Sequence, residues 1–360
     1  MNKLIRLTGV LCSLALCLTA CGGPEREHTG ASDTRTVTDA YGRTVAIPGQ
    51  VRRIACTGNG ALRIVAYLEC TDRLAGVEDM DKDYGSSPLR DYAYVYHEKF
   101  ESLPPIGKGG GGSNTAYAEE LIALQPDVIL TGYQEDALEE LSRTTGIPCV
   151  SIYYSSIGFV DESFYQAMRV AAEVLGVQER CEQVLDFIDG CKADLSRRTA
   201  NIPEEEKPSV YTGAVTFSGA HGFMGTYSNF GPFLGIGAVN AADRPDQVGY
   251  YEADPEQILL WDPDVIFLDP GNMGLVAEEV KANPAFFQSL KAVQSGKVYT
   301  QISFNNYSTN AGSYSSPWRS AAVLRSAYTL KTSSTRCLSA PCAASLAATV
   351  SRPDAAAARS

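Results

Sequence analysis

Two short runs of alternating apolar and polar positions, Thr36-Val37-Thr38 and Thr44-Val45-Ala46-Ile47-Pro48, flank Asp39-Ala40-Tyr41-Gly42, and this pattern predicts a hairpin. Arg53-Ile54-Ala55-Cys56-Thr57 then reads as a short buried strand, followed by Gly58-Asn59-Gly60 and a helix-like segment from Ala61 to Leu68. Leu74-Ala75-Gly76-Val77 has the composition of another strand. Strands alternating with helices predict parallel sheets covered on both faces.

One segment occurs twice. Glu119-Glu-Leu-Ile-Ala-Leu-Gln-Pro-Asp-Val-Ile-Leu130 aligns without gaps on Glu256-Gln-Ile-Leu-Leu-Trp-Asp-Pro-Asp-Val-Ile-Phe267, 137 residues further on. Each copy predicts a helix turn, a break at Pro-Asp and a buried strand, because proline restricts the residue before it and cannot donate backward. Two copies so far apart indicate two lobes built on one plan. Between them, apolar residues at Phe164, Ala167, Met168, Ala171, Ala172 and Leu175 have helical spacing. Gly176 interrupts that pattern, Val184, Leu185, Ile188 and Leu195 resume it, and Asn201 to Pro208 ends it with two prolines and a charge run. The fold class expected is α/β: two lobes with mostly parallel sheets, joined by a long linking helix, with a ligand cleft between them. The boundaries are 36–160 for the N-terminal lobe, 161–207 for the linking helices and 208–310 for the C-terminal lobe.

The first residues read as an address. Lys3 and Arg6 precede an apolar run from Leu7 to Ala20 that is too short to span a bilayer. Its end, Leu18-Thr-Ala-Cys21-Gly-Gly, resembles the lipobox of bacterial lipoproteins. That resemblance implies a signal peptide over 1–20, lipidation of Cys21 and a tether over 21–35. It implies export and anchoring to the outer face of the cell membrane, or on its periplasmic side, since several acyl chains anchor where one does not. Of ten cysteines, Cys12 and Cys17 would leave with the signal. Seven besides Cys21 remain, an odd number with no zinc spacing, so no disulfide framework is expected. Cys56 and Cys149 lie in strand-like runs and read as small buried apolar residues.

Composition narrows the chemistry. The formal net charge is −12, too acidic for a protein that neutralises phosphate, so nucleic acid is excluded as a partner. The average hides unlike parts: the signal carries +2, the last 50 residues +5 and residues 22–310 −19. With only three histidines, His28, His97 and His221, no polyhistidine metal site is expected, and no cofactor.

The lipobox, the Val-Thr-Asp-Ala-Tyr-Gly-Arg-Thr-Val hairpin, the paired Leu-Gln-Pro-Asp-Val-Ile and Trp-Asp-Pro-Asp-Val-Ile, and the helical link together resemble one family over residues 36–310. It is the substrate-binding lipoproteins of iron–siderophore, haem and cobalamin ABC importers. Ile106-Gly-Lys-Gly-Gly-Gly-Gly-Ser113 is similar to the iron-complex group. The resemblance implies capture of a ferric siderophore or haem, or alternatively a cobamide, and delivery to a permease driven by a cytoplasmic ATPase. It also implies that Glu119 and Glu256, at the same point of the two repeats, dock on permease arginines. The alternative is a pair of solvated first-turn glutamates favoured by the helix dipole.

In open α/β lobes, ligands sit beyond the carboxyl ends of the strands. That rule nominates Asn59, Lys108 with the glycine loop, Tyr133 and Tyr153 in the first lobe. In the second it nominates Phe217, His221, Asp269, Asn305 and Tyr307, with Asn272 nearby. Tyrosine combines a flat apolar face with a hydroxyl, suited to large conjugated or catecholate-like ligands. Gly109 to Gly112 could present backbone donors to an anion, although no Lys-Ser/Thr follows as in a nucleotide loop. His221 is the better of two candidate axial ligands, His97 being the other; direct binding of a bare metal ion is not expected. Ser218 near His221 raises a hydrolase reading, but the Gly-x-Ser-x-Gly elbow is missing. A ligand-sensing receptor domain remains open as a further class.

After Asn310 the composition changes to alanine and serine, with Asp354 the sole acid in the last 50 residues. A natural disordered tail, a divergent helix and translation in a shifted frame compete for 311–360; the abruptness of the break favours the shifted frame.

Overall fold

The computed structural model describes residues 33–82, 90–110, 115–154 and 160–301. The chain opens on β1 (Thr34–Thr38) and β2 (Thr44–Pro48), an antiparallel hairpin with Val37 opposite Val45. The first strand starts inside the stretch read as tether. Asp39, fully buried in the turn, accepts the N–H groups of Tyr41 and Arg43 at 3.0 Å and that of Ser151 at 3.2 Å, and it pairs with the Arg43 guanidinium at 2.6 Å. An Asx-type turn thus also fastens the hairpin to the lobe behind it.

The first lobe continues with β3 (Ile54–Thr57), α1 (Ala61–Tyr67), α2 (Asp79–Lys82), α3 (Asp91–Ser102), α4 (Ala118–Leu124), β4 (Val128–Thr131), α5 (Glu135–Thr145) and β5 (Cys149–Ser151). The sheet order is β3-β4-β5, all parallel. Every residue of the three strands is buried, as their unbroken apolar runs require of a sheet covered on both faces. The strand expected over Leu74–Val77 is not one. Leu74 and Val77 each make a single bridge, to Ile54 and Pro105. Gly76 lies so close to the Ile106 side chain and the Pro104 carbonyl that a Cβ would collide, so close packing replaces a ladder. Cys56 and Cys149 are buried as expected, and the five described cysteines are free.

The link is two helices, α6 (Glu162–Leu175) and α7 (Gln178–Thr199). Asp161 caps α6 through the Ser163 and Phe164 N–H groups, and left-handed Gly176 (φ 69°) ends it. Helix α6 packs on α1 and β1 and so belongs to the first lobe. The second lobe comprises β6 (Ser209–Gly213), β7 (Gly225–Ser228), α8 (Gly231–Ile236), β8 (Val239–Asn240), β9 (Gly249–Glu252), α9 (Pro255–Trp261), β10 (Val265–Leu268), α10 (Met273–Ala282), α11 (Pro284–Ser289), α12 (Lys291–Gln294) and β11 (Val298–Thr300). Its parallel sheet has the order β11-β10-β6-β8, and β7 and β9 form an antiparallel ribbon beside it. Helix α7 packs against α8. One buried apolar layer runs from Val37 and Ile47 through Leu185 and Ile188 to Val210, Phe233 and Phe267. The link is therefore stiff, because bending it would expose apolar surface at roughly 25 cal/mol per Å².

The repeat is visible in atomic detail. Helices α4 and α9 both end on a left-handed residue, Gln125 (φ 48°) and Asp262 (φ 39°), followed by proline. The next residue does the same work in each lobe. Asp127 accepts the N–H groups of Arg52 and Arg53 at 2.7 and 2.8 Å, and Asp264 accepts that of Ser209 at 3.0 Å. Each aspartate thereby fixes the start of the neighbouring parallel strand.

Candidate functional site

At the carboxyl ends of β3, β4 and β5 the chain turns sharply. Gly58 and Gly60 have φ of 80° and 81°, a region open to glycine at little cost. The space argues the same way: a Cβ on Gly58 would lie 2.6 Å from the Tyr133 ring, and one on Gly60 would strike the Tyr154 hydroxyl. Asn59 is half-buried between them. Tyr133 and Tyr154 are almost fully buried, and Tyr154 accepts a hydrogen bond from Arg63 Nη2 at 2.7 Å. Tyr153 is half-buried and stacks on Tyr41 with ring centroids 5.6 Å apart. Tyr41 in turn donates to the Tyr133 carbonyl at 3.1 Å, and burial raises its hydroxyl to a pKa of about 12, so it remains a donor.

Beneath these turns lies Glu78, which no motif or periodicity marks in the sequence. It is 2% exposed, and its Oε1 accepts the Gly58 N–H at 3.0 Å. A Cβ on Gly109 would sit 2.8 Å from its other oxygen, so Glu78 also underlies the start of the glycine loop. Burial raises its pKa to about 7; Asp81 and Asp79 push the same way, against the Gly58 N–H and the Tyr133 hydroxyl. Lys108 is exposed above it, with its carbonyl accepting the Met80 N–H at 3.2 Å.

In the second lobe the loop after β6 carries Phe217 and His221. Two polar residues at the end of β10 hold it. Asp269, 1% exposed, accepts from Thr216 Oγ1 at 3.0 Å and the Gly271 N–H at 2.9 Å. Asn272 donates to the Ala214 carbonyl at 2.7 Å and the Val215 carbonyl at 3.2 Å. The geometry makes both residues supports of the loop. Phe217 is 41% exposed and stacks on Tyr250 at 5.0 Å. His221 Nε2 donates to the Phe217 carbonyl at 2.8 Å, since that oxygen can only accept. Its Nδ1 lies 2.6 Å from the Tyr250 hydroxyl and 3.0 Å from Glu252 Oε1. Burial, then Glu252, push the Tyr250 hydroxyl well above its ordinary pKa. Both ring nitrogens of His221 thus have partners, and neither is left to activate Ser218. Tyr250 and Glu252 come from β9, and only their alternation with buried Tyr251 hinted that they share a face.

His97 lies on α3 and contacts the Tyr94 carbonyl at 2.8 Å. Among the described residues no cluster of three His, Cys, Asp or Glu could hold a metal ion. Glu119 and Glu256 are exposed in the first turns of α4 and α9, one on each lobe. Cys21, Asn305 and Tyr307 lie outside the described residues, as do Gly111 and Gly112.

Two α/β lobes on a helical link, with aromatic residues in the turns beyond their parallel strands, are the architecture of a solute-binding protein. The chain belongs to the periplasmic binding protein family, whose model matches residues 54–302. It is 22% identical over 309 residues to the Fe(3+)-citrate-binding protein YfmC of Bacillus subtilis, covering 83% of this chain and 89% of that one. Among solved structures it resembles a periplasmic solute-binding protein from Veillonella parvula, with a TM-score of 0.63, 20% identity and coverage of 82% and 88%. The molybdate-binding protein MolA of a Haemophilus influenzae ABC transporter has a TM-score of 0.61, 19% identity and coverage of 82% and 93%. The family is one of solute binders, so the hydrolase reading has no support from it.

Proposed function

We propose that this protein captures a ferric chelate between its lobes and delivers it to an ABC permease. The observation that carries the proposal is the similarity to an Fe(3+)-citrate-binding protein along most of both chains. The two aromatic turns give that reading a physical basis. Tyr153 on Tyr41 and Phe217 on Tyr250 offer flat apolar faces from opposite lobes, while Asn59 and His221 lie beside them. With −19 on residues 22–310, bulk electrostatics would repel an anionic chelate. Lys108 and backbone donors of the glycine turns then supply the local attraction. The iron is cargo held through its chelator, which needs no protein metal ligands.

The chain reaches the membrane through acyl groups on Cys21 and meets the permease through Glu119 and Glu256. A Cys21→Ala chain should be released into the soluble fraction.

The ligand is tested by tyrosine and tryptophan fluorescence titration with ferric citrate, ferric catecholate and hydroxamate siderophores, haem and cobalamin. Saturable quenching by a ferric chelate is expected. Saturation by cobalamin alone would reassign the ligand, and no response to any of the set would remove this ligand class.

A further inference from the structure

Helices α4 and α9 are short, and each has one clear inward anchor: Leu121 and Ile258, both fully buried. The position after each anchor points outward, where a soluble helix ordinarily carries a polar residue. Here it is aliphatic in both lobes: Ile122 is 47% exposed and Leu259 42%. Leu260, next along α9, is 83% exposed. Each aliphatic residue stands three positions after the glutamate, and side chains at that spacing neighbour each other on one helix face. The two lobes therefore present the same composite patch, Glu119 with Ile122 and Glu256 with Leu259, on one stiff body.

We infer that Ile122 and Leu259 are the apolar anchors of a two-point dock on the permease, with the adjacent glutamates steering the approach. The inference rests on the permease reading above. The occupant it requires is a membrane-protein face with two apolar sockets, each rimmed by cations. Charge selects that occupant over a second copy of this chain: Glu119 and Glu120 flank one patch and Asp254 and Glu256 the other, so two copies would bring like charges together. The division of labour follows from interface physics. Exposed charges set association rate and register, whereas desolvated apolar side chains set residence time.

The test is biolayer interferometry of the full chain on its cognate permease–ATPase complex in nanodiscs, across a salt series. Ile122→Ser with Leu259→Ser should raise the dissociation rate about 10- to 100-fold, as expected for losing two buried aliphatic groups, with an unchanged salt slope. Glu119→Gln with Glu256→Gln should instead lower the association rate and flatten the salt slope. Both pairs are exposed, so thermal unfolding should match the parent and exclude misfolding. If the aliphatic pair binds like the parent while the glutamate pair is impaired, this inference fails and the permease reading stands. If neither pair alters binding, or the parent does not bind, the permease reading fails too. Dimerisation of the parent that is lost in the aliphatic variant, read by light scattering, would assign the patch to a second copy and overturn the inference.

Discussion

The Glu78 carboxylate accepts the backbone N–H of Gly58 at 3.0 Å from beneath the turn that follows β3. This buried acid, raised by desolvation to about 7 from an ordinary 4.5, makes stability depend on pH in a defined direction. Below pH 4.5 both folded and unfolded chains hold the proton, and its favourable contribution is fully present. Between 4.5 and 7 the unfolded chain ionises while the folded one stays protonated, so stability falls as pH rises. Above 7 the loss is complete, on the order of 3 kcal/mol from Glu78. Asp81, raised by burial to about 6, contributes in the same direction over a lower window. Urea unfolding of parent and Glu78→Gln from pH 4.5 to 8 should show a parent-minus-variant difference that declines with pH. A difference independent of pH would refute the buried-acid account.

Gly60 and Gly42 separate backbone strain from steric collision, because their φ values are 81° and 79° but their surroundings differ. Nothing lies within 4 Å of a Cβ built on Gly42, whereas one on Gly60 strikes the Tyr154 hydroxyl that Arg63 donates to. Gly42→Ala should cost only the left-handed backbone penalty, about 1–2 kcal/mol. Gly60→Ala should cost that plus the displacement of a packed ring, about 2–4 kcal/mol in all. Equal shifts in denaturation midpoint would mean that Tyr154 moves aside freely.

Charge at the repeated glutamates should matter for delivery and not for capture. Glu119→Lys with Glu256→Lys is expected to abolish uptake of the labelled chelate by cells while leaving the affinity of the purified protein within about twofold, because both side chains are exposed on the outer helices. Normal uptake by the double variant would exclude these glutamates from docking.

Local signals carried most of the fold. Proline at 126 and 263 announced both helix ends, and continuous apolar runs announced β3, β4 and β10, since each of these features acts within a few residues. What the sequence could not display were partnerships across the fold. Glu78 gains its role from Gly58 and Gly109, 20 and 31 residues away, and no periodicity marks a buried acid under a turn. Tyr250 meets His221 only because β9 pairs with β7, which brings together residues 29 apart. Asp269 sits at a strand end, as ligand residues do, yet its carboxylate is engaged by Thr216 and Gly271. Strand ends need buried caps as well as exposed contacts, and spacing does not distinguish the two.

The aromatic turns of the two lobes should contribute to ligand affinity separately. Phe217 is 41% exposed and Tyr153 half-buried, so truncating either removes little of the core. Each nonetheless stacks on a fixed partner, Tyr250 or Tyr41, which holds its ring in place before a ligand arrives. Preorganised aromatic faces bind without a large ordering cost. Phe217→Ala and Tyr153→Ala should therefore each weaken the ferric chelate about 10-fold while shifting stability by less than about 1 kcal/mol. Because the rings sit on different lobes and share no contact partner, the double variant should weaken binding about 100-fold, the product of the two. Isothermal titration of the four proteins checks this. A double variant no weaker than the worse single one would mean that the ligand touches one lobe only, and the cleft reading would fall.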